Sequence, residues 1–175
     1  GRRDNKYKAR IKILVKALTP EVFAEKVNAE WQYVKDGYTK LTQEEITRAK
    51  GFFTSPAYET IDNDTAQAAL DEQAQSNGAF SKWLNRNVRD HKIAGYASVV
   101  LSLKPTGVAP GDITDTQLER IADLAEKYSF AEARTTHEQN IVLADVKKSD
   151  LFALWQEAKT YGFATPNIGT LTDII

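Results

Sequence analysis

The sequence contains no cysteine and only two histidines, and both scarcities restrict its chemistry. Without cysteine the chain has no disulfides, and it cannot by itself hold a thiolate zinc site or an iron–sulfur cluster. The histidines, His91 and His137, are far apart and lack carboxylates at the spacing typical of metal ligands. The sequence therefore predicts no metal site, and the absence of cysteine fits a reducing compartment.

Long apolar runs are also missing. The longest, at residues 97–103, is far too short to span a bilayer, and the N-terminus lacks the apolar core of a secretory signal. We therefore predict a cytoplasmic protein that has no membrane segment.

Net charge is nearly absent too, with 23 basic against 24 acidic side chains, which favours neither nucleic acid nor an acidic partner. Residues 1–18 are an exception, because Asp4 is their only acid. Their basic residues are Arg2, Arg3, Lys6, Lys8, Arg10, Lys12 and Lys16. Such a stretch can meet anionic lipid or nucleic acid, but a solvated face or a docking face for another part of a larger protein is the commoner case.

What is present at the N-terminus is helical periodicity. Apolar residues recur at helical spacing from Tyr7 to Leu18, and Thr19-Pro20 predicts an N-cap and first turn of a second helix that ends near residue 35. Thr42, with Glu45 three residues later, predicts a third helix at 43–50. The inward stripe of the second helix would be Phe23, Val27, Trp31 and Val34. Trp31, Trp83 and Trp155 are predicted to be core residues.

The rest of the chain changes character twice. Residues 54–77 are polar and predict at most a short helix at 65–75. Beyond Gly78 we predict a strand at 96–103, a helix capped by Asp115, and strands at 131–136 and 139–146. These are followed by a helix at 150–161, capped by Ser149 and stopped by Gly162, and by an extended segment at 168–175. The order βαββαβ predicts an α+β, ferredoxin-like half domain preceded by an N-terminal helical segment. The predicted parts are a helical segment at 1–52, a linker or surface excursion at 53–80 and the half domain at 81–175.

The stretch RTTHEQN, residues 134–140, stands between the two middle strands and has neither Gly nor Pro. Asn-Gly or Asp-Gly would reverse the chain at lower conformational cost. A polar hairpin tip is most often only a solvent-exposed turn, so the stretch alone does not decide its role. His91-Lys92, just before a strand, is predicted to be a turn.

Several motifs carry a resemblance to a known family. Trp83, Asn87-Val88, His91-Lys92, Gly95-Tyr96 and the pattern Arg134-x-Thr136-x-x-Gln139-Asn140 are similar to the second ferredoxin-like half domain of siroheme-dependent nitrite and sulfite reductases. Residues 2–27 resemble the closing helices of that family's large domain, and residues 167–175 resemble the segment that leads into its cluster cysteines. The sequence resembles the sulfite reductase hemoprotein most, and its apolar ending at 172–175 leads us to expect a fragment.

The resemblance implies siroheme and a four-iron four-sulfur cluster, which together reduce sulfite to sulfide, or nitrite to ammonia, with six electrons. Arg134 would bind a cofactor carboxylate, and its neighbours would donate hydrogen bonds to the macrocycle. The cofactor-binding residues implied are Arg134, Thr136, His137, Gln139 and Asn140. The partners implied are the rest of the reductase chain and a ferredoxin or NADPH-dependent flavoprotein as electron donor, with no nucleic acid and no membrane.

The family's active-site lysines would lie before Gly1 and its cluster cysteines beyond Ile175. We therefore expect no activity, iron or siroheme in this chain alone. Ferredoxin-like domains also bind RNA or regulatory ligands. RNA binding needs aromatic residues on central strands, where this sequence has QNIVLADV. A small-ligand-binding regulatory module stays an open alternative.

Overall fold

The computed structural model describes residues 4–38 and 40–173, so Arg2, Arg3, Ile174 and Ile175 lie outside the described residues. The chain divides into two compact units, Gly1–Ser55 and Pro56–Ile175. The origin of residues 1–52 in a larger reductase domain stays a prediction.

The N-terminal unit is helical, as the sequence predicts. A 3-10 helix, Lys6–Ala9, precedes α1 (Ile11–Leu18), α2 (Pro20–Val34) and α3 (Gln43–Gly51). The Thr42 hydroxyl accepts the Glu45 N–H at 3.2 Å, which confirms the predicted start of α3. The structure confirms that α2 starts at Pro20 with Thr19 at the N-cap position, but Thr19 has a φ of 74° and its side chain makes no capping hydrogen bond.

The predicted inward stripe of α2 is also wrong. No described residue of α1, α2 or α3 is buried, and Trp31 is 53% exposed. A small unit of short helices has much surface for its volume, so its apolar side chains stay accessible. Trp83 and Trp155, by contrast, are buried as predicted.

The C-terminal unit begins with two helices, of which the sequence predicts only the first, as a short helix at 65–75. The first, α4 (Asn63–Ser76), is longer than the short helix predicted within a linker, and its Leu70 is buried in the core. The second, α5 (Gly78–Asn87), was not predicted; the Asn77 side chain caps it by accepting the N–H groups of Ala79 and Phe80.

A four-stranded antiparallel sheet follows, in the order β1-β2-β4-β3. Its strands are β1 (Val88–Asp90), β2 (Tyr96–Leu101), β3 (Arg134–Thr135) and β4 (Ile141–Lys147). Strands β2 and β4 confirm the prediction, β3 is shorter than predicted and β1 was not predicted. Ala97 pairs with Val146 but Val99 pairs with Leu143, so β4 carries one extra residue and forms a bulge.

Two helices, α6 (Asp115–Tyr128) and α7 (Leu151–Thr160), share a core with β2 and β4. The cap of α6 is Thr114, which forms a capping box with Gln117, and not the predicted Asp115. Ser149 does not cap α7, because it lies in a 3-10 helix, Lys148–Asp150, that runs directly into α7. The mixed helices and antiparallel sheet confirm the predicted α+β, ferredoxin-like fold class.

The predicted last strand is wrong in its described part. Residues 168–173 form a turn and a 3-10 helix, Leu171–Asp173. Both neighbours of β2 are already strands, since β1 pairs with one edge and β4 with the other. Gly169, with a φ of 72°, also turns the chain away from an extended path. Among the described residues no helix is long and apolar enough to cross a membrane.

Candidate functional site

The reversal between β3 and β4 is built by backbone geometry and a threonine hydroxyl. The Thr136 N–H donates to the Asn140 carbonyl at 3.0 Å, and the Gln139 N–H donates to the Thr136 carbonyl at 3.2 Å. Gln139 takes the left-handed conformation, with a φ of 59°, that a glycine would otherwise supply. The Thr136 hydroxyl accepts the Asn140 N–H at 3.1 Å, so this residue has a structural task in the turn.

Gln139 is placed by a close neighbour, Gly111. Gly111 has a φ of +82°, and a Cβ added there would lie 2.9 Å from the Gln139 Cβ. Only glycine accommodates both the left-handed backbone and this approach. The loop between β2 and α6 therefore limits where the Gln139 side chain can lie.

Arg134 and His137 expose a guanidinium and an imidazole at the surface of the reversal. Arg134 Nε lies 2.5 Å from Glu132 Oε1, and this hydrogen bond raises the pKa of the guanidinium. His137 Nε2 lies 2.8 Å from Glu138 Oε1, with its side chain 89% exposed. Both side chains are accessible to a ligand, although each already has an acidic neighbour.

Asn140 differs from the other predicted site residues because it is buried. Its side-chain Oδ1 accepts the Leu103 N–H at 3.2 Å, and its Nδ2 donates to Asp173 Oδ1 at 3.0 Å. The amide is therefore bonded within the chain at both ends.

Asp173 also meets a buried cation, Lys104, that sequence reasoning missed. Lys104 Nζ lies 2.9 Å from Asp173 Oδ1 and 2.8 Å from its carbonyl oxygen, with the lysine side chain only 2% exposed. Burial raises the pKa of Asp173, but hydrogen bonds from the Gly169 N–H, Asn140 and Lys104 outweigh it and lower the pKa overall. The one sequence signal was a lysine directly after the apolar run at 97–103.

A second polar cluster surrounds the carboxylate of Asp145 on β4. Its Oδ1 accepts a 2.6 Å hydrogen bond from the Tyr58 hydroxyl and lies 3.2 Å from His91 Nε2. His91 Nδ1 accepts the Ile93 N–H at 3.0 Å, so a neutral His91 carries its proton on Nε2. His91 was predicted to be a turn residue just before a strand, and it lies in the connection that leads into β2. It also takes part in a buried cluster, with only 11% of its side chain exposed.

This cluster lies within electrostatic reach of the predicted cofactor site. The hydrogen bond to Asp145 raises the pKa of Tyr58 to about 12, while the charge of Arg134 acts in the opposite direction. Asp145 Oδ2 is buried and has no hydrogen-bond partner in the described part of the chain. The rings of Tyr96 and Phe130 pack 5.0 and 5.7 Å from that of Tyr58 and help to keep water from the carboxylate.

The two cofactors implied by the resemblance fit these residues unequally. An exposed guanidinium, imidazole and amide on one reversal suit a carboxylate-rich group such as siroheme. Within 4–38 and 40–173, no group of three or more His, Cys, Asp or Glu side chains could hold a metal ion. The donor set therefore fits the edge of a polyanionic macrocycle, and it does not fit an iron–sulfur cluster.

Residues 101–161 match the family model described as the nitrite/sulfite reductase ferredoxin-like half domain. This segment runs from the end of β2 through α7 and includes the whole reversal. No curated protein and no solved structure matches the chain. Residues 101–161 are therefore similar to the ferredoxin-like half domain of the nitrite/sulfite reductase family of oxidoreductases.

Proposed function

We propose that this chain is part of a siroheme-dependent sulfite reductase and forms part of the wall of its siroheme pocket. The reaction would be the six-electron reduction of sulfite to sulfide, with nitrite reduction to ammonia as the alternative. The observation that carries the proposal is the reversal itself. It lies within the segment that matches the reductase family, and it exposes the side chains of Arg134, His137 and Gln139.

Each predicted residue has a distinct task in this proposal. Arg134 binds a siroheme carboxylate, exchanging its contact with Glu132 for one with the cofactor. The Thr136 hydroxyl accepts the Asn140 N–H, and its own proton stays free to donate to the macrocycle. His137 and Gln139 donate from the exposed tip, whereas buried Asn140, whose amide is bonded to Leu103 and Asp173, holds the reversal in place.

Other parts of the reductase supply the remaining chemistry. The four-iron four-sulfur cluster needs thiolates, which this chain does not contain. We propose that the cluster ligands lie elsewhere in the reductase chain, and that a ferredoxin or an NADPH-dependent flavoprotein delivers the electrons in the cytoplasm. In this proposal the chain is inactive alone.

The test uses the reductase that contains this chain. Arg134→Ala should weaken siroheme retention by roughly tenfold or more, because it removes a charge-assisted hydrogen bond. Siroheme per protein is measured from the Soret absorbance and the iron content, and Arg134→Lys should retain part of it. Arg120→Ala removes an exposed arginine of α6 and serves as the control. Unchanged siroheme content in Arg134→Ala contradicts the proposal, and steady-state rates with sulfite and nitrite decide the substrate.

One observation favours a small-ligand regulatory module as the second candidate. A groove of about 570 Å³ lies between α4, α5 and β1, within the size range of small-molecule sites. Its apolar floor includes Leu70 and Leu84, and its rim carries Arg89 and Lys148. Calorimetric titration with amino acids and nucleotides tests this candidate. Saturable binding by the chain, weakened by Lys148→Met, together with a siroheme content insensitive to Arg134→Ala, would favour it over the reductase.

A further inference from the structure

Asp173 joins three segments of the C-terminal unit through one side chain. Lys104 comes from the chain just after β2, Asn140 from the reversal, and Gly169 from the segment 167–173 to which Asp173 itself belongs. We propose that Lys104, Asn140 and Asp173 are positioning residues that couple the conformation of the reversal to that of segment 167–173. We call these three residues the Asp173 network.

The two carboxylate oxygens of Asp173 bind different segments of the chain. Asp173 Oδ1 accepts hydrogen bonds from Lys104 Nζ at 2.9 Å and from Asn140 Nδ2 at 3.0 Å. Asp173 Oδ2 accepts the Gly169 N–H at 2.8 Å. One oxygen thus holds the reversal and the end of β2, while the other holds the turn of the segment that carries Asp173.

A second polar contact fastens the same segment. The Asn167 side chain donates to the Lys104 carbonyl at 3.1 Å. The backbone and the ammonium group of Lys104 therefore both bind segment 167–173. The segment cannot shift without disturbing both ends of this lysine.

Burial makes the network strongly coupled. Removing one partner of a buried ion pair leaves the other charge without compensation, and this costs far more than loss of an exposed pair. Lys104 is nearly inaccessible, and its described ionic partner is Asp173. A change at Asp173 must therefore be felt at Lys104 and, through the shared oxygen, at Asn140.

Asn140 is also hydrogen-bonded to Thr136, at the tip of the reversal. Its carbonyl accepts the Thr136 N–H, and its N–H donates to the Thr136 hydroxyl. Displacement of Asn140 would thus release the hydroxyl that the proposed function assigns to the macrocycle. Asn140 thus acts by holding the tip in place and not by touching the cofactor. The relevance of this coupling to siroheme binding rests on the proposed function.

The coupling is measurable in the chain alone, without siroheme. In Asp173→Asn, amide hydrogen exchange followed by NMR should accelerate on the order of tenfold at Gly169, and also at Thr136 and Asn140 in the reversal. The Asp145 N–H, which donates to the Ser129 hydroxyl, should keep its rate. Glu132→Gln makes the same charge change beside Arg134 without touching the network, so it is the matched control.

Two further variants separate positioning from general loss of structure. Lys104→Arg keeps the positive charge and should retain slow exchange at all three amides, whereas Lys104→Met should reproduce the Asp173→Asn pattern. The Gly169 and Leu103 amide shifts should titrate with one midpoint, that of the Asp173 carboxyl, and Lys104→Met should move this midpoint upward.

The inference is overturned if Asp173→Asn accelerates exchange at Gly169 but leaves Thr136 and Asn140 unchanged, because segment 167–173 would then loosen alone. It is equally overturned if the two amide shifts titrate with different midpoints. Neither result depends on siroheme. If the reductase variant Arg134→Ala retains its siroheme, the proposed function fails while the coupling stands.

Discussion

The Tyr58 hydroxyl and the Asp145 carboxylate form a 2.6 Å hydrogen bond across 87 positions of sequence. This bond ties the irregular segment before α4 to β4. The same carboxylate oxygen lies 3.2 Å from His91 Nε2. The segment before α4 and the loop between β1 and β2 therefore both contact the Asp145 side chain of the sheet.

Tyr58→Phe should destabilise the C-terminal unit by about 1.5–3 kcal/mol, because a hydrogen bond to a buried carboxylate is lost. Urea unfolding followed by circular dichroism measures the loss. Tyr161→Phe is the control, since the hydroxyl of Tyr161 has no hydrogen-bond partner among the described residues. Equal midpoints for the two variants would show that the bond to Asp145 adds nothing.

The stability of the unit should fall at alkaline pH in a way that depends on Tyr58. The pKa of this tyrosine is raised to about 12 from 10.0, chiefly by the hydrogen bond to Asp145, so folding favours the protonated phenol. Its contribution is complete below pH 10 and is lost as the pH rises toward 12. Unfolding midpoints across this window should therefore decline less steeply in Tyr58→Phe. Tyr128, whose pKa is also raised, should contribute to the loss of stability at alkaline pH in both proteins.

Gly95→Ala should be costly for two reasons that a control can separate. Gly95 has a φ of +79°, and an added Cβ would lie 2.4 Å from the Ile61 Cβ. Gly162 has a similar φ of +84°, but nothing lies within 4 Å of its Cβ position. Gly162→Ala should thus lose about 1–2 kcal/mol from backbone strain alone, and Gly95→Ala clearly more, as measured by urea unfolding. Equal losses would mean that Ile61 moves aside freely.

Hydrogen exchange should differ between the two units. The described residues of α1, α2 and α3 include none that is buried, whereas α5, β2, β4 and α7 contribute to one core. Local opening costs least where few apolar contacts hold an element, so mass spectrometry should find fast exchange in residues 11–51 and slow exchange in β2 and β4. Equal protection in both would contradict the link between burial and local stability.

Local patterns in the sequence determined most of the secondary structure. The apolar periodicity predicted α2, α6 and α7, and the β-branched run predicted β2, because these signals act between near neighbours in the chain. The pair Thr42 and Glu45 marked the start of α3 for the same reason. The residues of RTTHEQN were identified as a reversal between two strands, and the structure confirms that reversal.

Tertiary structure decided what local patterns cannot contain. The edge strand β1 was not predicted, and residues 168–173 form a turn and a 3-10 helix instead of the predicted extended segment, because strand pairing depends on partners that local patterns do not contain. Trp31 and Trp83 both occupy apolar helix positions, yet only Trp83 has a core to enter. Asn140 resembled its exposed neighbours in sequence, but its amide lies between Leu103 and Asp173, because partners 37 and 33 positions away meet it only after folding.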